Sequence, residues 1–266
     1  MIHGFAAASG SRIHVEDTGS GTSLVAIHGL AGGAYFFSGL AKRLNSDCRV
    51  VTIDLPGTGR SRAGDAGYSM ESWVADLGQL VAEHVKSPVV LLGHSMGTIV
   101  ALKAWAAWPD LIRGLIFVGG LPVVRPLIRE RLSNRIAALA GAQDLAGWGA
   151  QVSPGVFSPQ TIHHRPEVVT AFERLFEMNS VETYVRCVKI LLGGNAEEIV
   201  PTVQGTCLAI TGEHDQYAPP EDVTAFVERI PVTHRTEPVP NGSMTTEEFP
   251  RVATILPGAT DTDHDG

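Results

Sequence analysis

Three short stretches carry residue types suited to acyl chemistry. "GHSMG", Gly93 to Gly97, sets a serine between two glycines, directly after the apolar run "VVLL" and before the small-residue helical pattern "TIVALKAWAA". A strand-to-helix turn of this kind holds Ser95 in a strained conformation with its hydroxyl exposed, and the glycines leave room for close packing. "HGLAGG", His28 to Gly33, is a glycine-rich loop after the run "SLVAI". It can turn a backbone N–H towards the serine, so that the Leu30 and Met96 amides form an oxyanion hole. "GEHDQYAPP" sets Asp215 just past a late apolar run. A carboxylate there can orient and charge-stabilise a histidine. "DLPGTGRS" sets Asp54 after another apolar run, where bonding its own loop is the expected role. His28 is expected to structure its loop rather than act as a base, although it and Gly29 also stand where a substrate is bound.

These residues must be positioned by strands. "SLVAIHG", "RVVTIDLPG", "PVVLLGHSMG", "IRGLIFVGG" and "CLAITGEHD" are continuous β-rich runs, each ending in glycine or a turn residue. Such runs are buried on both faces, so the sheet is parallel and covered by helices. "SRIHVEDTG" alternates like an edge strand. Helical patterns such as "SMESWVADLGQLVAEHV" stand between the runs. The fold class is therefore α/β, a mostly parallel, doubly wound sheet. Ligands of such sheets bind beyond the carboxyl ends of the strands, where His28, Asp54, Ser95 and Asp215 fall. From Leu121 to Val203 strand signals vanish and amphipathic helices take over, as in "PLIRERLSNRIAALAGA", "PEVVTAFERLFEM" and "SVETYVRCVKILLGG". The expected organisation is a core of residues 1–120 and 204–258, a helical lid of residues 121–203, and a flexible tail of residues 259–266.

Composition excludes other classes. The chain has 266 residues and a formal net charge of -8, with no dense basic run, which disfavours nucleic acid. Cys48, Cys187 and Cys207 are scattered, so neither a zinc site nor a disulfide framework is expected, and a reducing cytoplasm fits. The first residues lack the pattern of a signal peptide, and no apolar run reaches membrane-spanning length. The expected partner is a small-molecule substrate, with no nucleic acid, membrane, metal or nucleotide cofactor; a homodimer stays open.

The four motifs, in this order and spacing, resemble the α/β-hydrolase superfamily from about residue 10 to residue 256. The lid and the run into "CLAITGEHDQYAPPEDV" are most similar to its enol-lactonases, cofactor-free haloperoxidase-like esterases and carbon–carbon bond hydrolases. The resemblance implies Ser95 as nucleophile, Asp215 as triad acid, and the Leu30 and Met96 amides as oxyanion hole. In that family a late loop reads roughly Pro-x-x-Gly-His, then a Glu and a Pro. Here "VPNGSMTTEEFP", residues 239–250, aligns on Glu248 and Pro250 with Ser243 in the histidine position. A neutral serine cannot take a proton from Ser95. Loss of the triad histidine costs about 10⁶-fold in turnover, roughly 8 kcal/mol.

Three accounts of Ser243 stand: an engineered His→Ser change, a natural shift to lyase, cyclase or isomerase chemistry, or a non-catalytic ligand-binding protein. Of the other histidines, His214 and the lid residues His163 and His164 could approach the site. His94 is expected to point away from Ser95, and His234 to lie at the remote strand end. Trp148, Phe172 and Tyr184 suggest an apolar, partly aromatic substrate pocket. Arg125, Arg129, Arg131 and Arg135 on one lid helix could anchor a substrate carboxylate. The expected activity is hydrolysis of a small ester, lactone or activated carbon–carbon bond, impaired by Ser243.

Overall fold

The computed structural model describes residues 1–231 and the strand at 234–239. Eight strands form one sheet: β1 (Ile2–Ala6), β2 (Arg12–Thr18), β3 (Ser23–Ile27), β4 (Arg49–Ile53), β5 (Val89–His94), β6 (Ile112–Val118), β7 (Thr206–Gly212) and β8 (His234–Val239). Their spatial order is β1-β2-β4-β3-β5-β6-β7-β8. The β1–β2 and β2–β4 pairs are antiparallel, and every pairing from β4 to β8 is parallel. The expected α/β class is the one observed. Every residue of β3 and of β5 is buried, as apolar runs covered on both faces require.

One edge differs from expectation. β2 is interior, because β1 pairs along its outer side with Ile2 opposite Glu16 and Ala6 opposite Arg12. β2 reads as an edge because its burial alternates, and β1 escapes notice because most of it is exposed.

Helices cover both faces. On one side, α2 (Met70–Leu80) and α3 (Met96–Ala107) pack with Val25, Ile27, Val51, Leu91, Leu115 and Phe117 into the larger core. On the other, α1 (Ser38–Leu44) packs through Leu40 and Leu44 on Leu24, Ala26, Val90 and Leu92. α2 starts at a reciprocal cap: Ser69 Oγ accepts from Ser72 N at 3.2 Å, and Ser69 N donates to Ser72 Oγ at 2.8 Å.

Between β6 and β7 stand five helices, α4 (Pro126–Ala138), α5 (Trp148–Val156), α6 (Pro159–His164), α7 (Pro166–Glu177) and α8 (Val181–Gly193). The ends of this insertion meet: Val123 bridges Asn195, and Ala196 N donates to Pro122 O at 2.8 Å. Its apolar residues Ile128, Leu132, Phe176, Tyr184 and Leu191 belong to the same core cluster as β5 and α3. α9 (Pro220–Val227) follows β7. The end of the expected core, from residue 240, and the expected tail of residues 259–266 lie outside the described residues.

Candidate active site

Ser95 sits at the junction of β5 and α3. It occupies the N-cap position of α3, where a serine hydroxyl ordinarily accepts from the next turn. Here it makes no such bond, because the backbone at Ser95 has φ 51° and ψ -115°. This left-handed φ is costly for a non-glycine residue and persists only where the surroundings impose it. They do so through the chain on both sides. Ser95 N donates to Val118 O and Thr98 N to Ser95 O, each at 2.9 Å. Gly97 lets α3 close onto β3: a Cβ there would lie 2.4 Å from Ile27 O. Among the described residues the half-buried Ser95 hydroxyl has no hydrogen-bond partner, so it is presented rather than spent.

The loop after β3 passes directly against this serine. A Cβ on Gly29 would lie 2.9 Å from both Ser95 Cβ and His94 Nδ1. Ala31, two residues on, has φ 56° and is held by its carbonyl, which accepts from Tyr35 OH and Asn179 Nδ2, each at 3.2 Å. Asn179 ties the inserted helices to this loop. Among the described residues neither Leu30 N nor Met96 N donates a hydrogen bond, and both residues line one cavity with Ser95. Met96 N opens α3, where the helix dipole favours negative charge.

Asp54 and His28 build the scaffold beneath. Asp54 Oδ1 accepts from Ala34 N at 2.6 Å and Oδ2 from Arg60 N at 2.7 Å, so it bonds its own loop, as expected, and the neighbouring one too. His28 is fully buried. Its Nδ1 lies 2.7 Å from Gly29 O, and its Nε2 accepts from Leu55 N at 3.0 Å. Burial holds its pKa below the usual histidine value. Both ring nitrogens are spent on protein, which corrects the expectation that His28 contacts substrate.

Asp215 faces Ser95's cavity from the loop after β7. Its Oδ1 accepts from Tyr217 N at 2.8 Å and Ala218 N at 2.9 Å. Its Oδ2 is buried with no partner among the described residues. Burial dominates and raises this carboxyl to about 6, against the pull of the two amides and Arg125. β8 runs parallel to β7 and ends at Val239 beside Gly212, at the end of the sheet that carries Ser95 and Asp215. Ser243 lies outside the described residues.

The cavity has a volume of about 140 Å³. Apolar groups dominate its wall, with Ile128, Leu132, Phe172, Phe176 and Tyr184 contributed by the insertion. An adjoining cavity of about 420 Å³ shares Leu30, Phe36, His94 and Phe172 with it and reaches Gly29. Trp148 lines neither: it is half-buried against the main core, where the sequence suggested a pocket residue.

His94 also departs from expectation. Its ring extends the face of Val90 and Leu92 at the end of β5. It stacks on Phe36 at 4.5 Å and lines the cavity with Ser95. Its ring nitrogens have no partner among the described residues, and burial presses its pKa to about 3. His163 and His164 are exposed on α6, against the expectation that one could approach the serine. His214 is exposed in a surface depression that it shares with Asp215. His234 pairs with Cys207, at the opposite end of β7 from Asp215. Phe36 and Tyr217 also line the cavity; the sequence offered no signal for them beyond their neighbours' motifs. Among the described residues no group of three His, Cys, Asp or Glu side chains could hold a metal ion, and no helix is long and apolar enough to cross a membrane.

The model of the alpha/beta hydrolase family matches residues 24–254. The chain belongs to that family. The chain is 26% identical over 238 residues to a pimeloyl-(acyl-carrier protein) methyl ester esterase of Stenotrophomonas maltophilia, covering 82% of this chain and 85% of that one. It is 26% identical over 126 residues to 2-(acetamidomethylene)succinate hydrolase of Mesorhizobium japonicum, a match spanning 47% of this chain and 45% of the relative. Among solved structures, a thermophilic esterase from Thermogutta terrifontis superposes with a TM-score of 0.85 at 22% identity, over 96% of this chain and 95% of the other. That likeness is one of fold.

Proposed function

We propose that the hydrolase is built to cleave a small ester, lactone or activated carbon–carbon bond, and that Ser243 holds the position of its triad base. Ser95 is the nucleophile, Asp215 the acid that orients the base, and the Leu30 and Met96 amides receive the oxyanion. The observation that carries this reading is Asp215 Oδ2, a buried acceptor with no partner among the described residues, on the wall of the cavity that also exposes the Ser95 hydroxyl. A buried acceptor left open costs about 1–3 kcal/mol, so a donor is called for at that spot. β5 and β7 stand two strand spacings apart, roughly 10 Å, which side chains and one imidazole span.

With a histidine at residue 243 the chemistry is acyl transfer. The imidazole takes the Ser95 proton as Oγ attacks the carbonyl, Asp215 holds the imidazolium, and the two amides stabilise the oxyanion. The imidazolium gives that proton to the leaving group as the scissile bond breaks, and the freed imidazole then deprotonates a water that attacks the acyl-enzyme, releases the acid and returns the proton to Ser95. With serine there, the oxyanion hole and binding alone leave about 10³ to 10⁴ over water. The inserted helices serve as the lid that sets substrate range. The apolar wall favours a substrate with an apolar body. The esterase and succinate-derivative hydrolase among the relatives support the same class.

The test is covalent labelling with a fluorophosphonate. Ser243→His is expected to label on Ser95, located by peptide mass spectrometry, and the parent to label far more slowly. Label on another serine, or equal labelling of both proteins, contradicts the assignment.

A further inference from the structure

Four arginines cluster at the start of the insertion, and the fold separates them. Arg125 pairs with Asp222 at 2.6 Å, Arg131 reaches Gln216, and Arg129 is exposed. Arg135 differs. It follows Ile128 and Leu132 on the buried face of α4, at the i+4 and i+3 spacings that form one stripe. Its side chain is half-buried in the apolar cavity that exposes Ser95. Nη1 donates to Tyr184 OH at 2.8 Å, and Tyr217 engages the guanidinium as well. Neither partner is a carboxylate. Among the described residues no carboxylate pairs with Arg135, and the carboxyl on the same wall, Asp215, responds to Arg125 instead.

A guanidinium in an apolar cavity loses hydration that two phenols do not replace, and its remaining N–H groups form a fork suited to a carboxylate. Leucine or methionine would fill the stripe on α4 at no such cost. We infer that Arg135 recognises a substrate carboxylate, so that the substrate is an anionic ester or lactone carrying a free carboxylate apart from the scissile carbonyl. Tyr184 and Tyr217 fix the guanidinium, and the apolar wall strengthens the pairing by excluding water. The inference rests on the proposed function only for the scissile bond. The carboxylate site itself needs no turnover.

The experiment is calorimetric titration of the full chain with short straight-chain dicarboxylate monomethyl esters and the matching dimethyl esters. At one or more chain lengths the monoester is expected to bind about 10- to 100-fold more tightly than its diester. Arg135→Gln is expected to collapse that ratio towards one, and Arg135→Lys to retain part of it, with circular dichroism as the folding control. If Arg135→Gln loses its fold, Tyr184→Phe, which frees the guanidinium without removing its charge, must lower the ratio. No monoester preference at any length, or one that survives these substitutions, overturns the inference. If Ser243→His fails to cleave esters while the Arg135-dependent preference holds, the proposed hydrolysis falls and the carboxylate site stands.

Discussion

Ser95 and Asp215 face one cavity from loops two strands apart, Ser95 at the end of β5 and Asp215 just past β7, with β6 between them. Each presents an oxygen that no described residue engages: the Ser95 hydroxyl on a strained helix start, and Oδ2 of a carboxyl whose other oxygen is doubly held. An imidazole joining the two would satisfy both.

The buried Asp215 should make stability depend on pH. Its carboxyl titrates at about 6 in the fold, above an unfolded aspartate near ~4. The folded state therefore prefers the proton. The stability that goes with it is complete below pH ~4 and is lost as pH rises through about 6, by up to about 3 kcal/mol. Asp215→Asn keeps an acceptor for the Tyr217 and Ala218 amides and removes the charge. Urea unfolding should show the variant gaining about 1–3 kcal/mol over the parent between pH ~4 and pH ~7. A difference that does not change with pH would mean that the ionised carboxyl is already paired.

His28 should matter to folding rather than to binding. His28→Leu removes the acceptor for the buried Leu55 N–H. The expected loss is about 1–3 kcal/mol by chemical denaturation. A larger change in ligand affinity than in stability would return His28 to the binding site.

Gly97 tests the strained turn. Gly97→Ala puts a methyl 2.4 Å from Ile27 O, a backbone atom that cannot step aside without moving β3. The expected cost is about 1–3 kcal/mol or more, seen as a fall of several degrees in Tm. An unchanged melt would show that β3 and α3 are not packed as closely as the fold requires.

Much of this was legible from the sequence because two local rules coincide. The run "VVLL" must be buried on both faces, and "GHSMG" supplies glycines where a sharp turn needs them, so the Ser95 junction could be written from residues alone. Asp54 was readable for the same reason, as a short acceptor among turn residues. Tertiary placement was not. Trp148 looks like pocket lining by type, yet its position on α5 turns it against the core. His94 lines the cavity because strand alternation carries its ring onto the Phe36 side, which the motif alone does not reveal. α5 and α6 leave little periodic signal in the sequence because they are short and one carries Pro154. The stripe Ile128, Leu132, Arg135 was present in the sequence, and helical phase would have separated Arg135 from its exposed neighbour Arg129.

The most direct measurement is hydrolysis of a short-chain nitrophenyl ester by the parent and by Ser243→His, side by side, with Ser243→His/Ser95→Ala as control. The kcat of Ser243→His should rise about 10³-fold or more, and the rise should be abolished in the double variant. Equal rates for the parent and Ser243→His would contradict it, and so would a rise that survives the loss of Ser95.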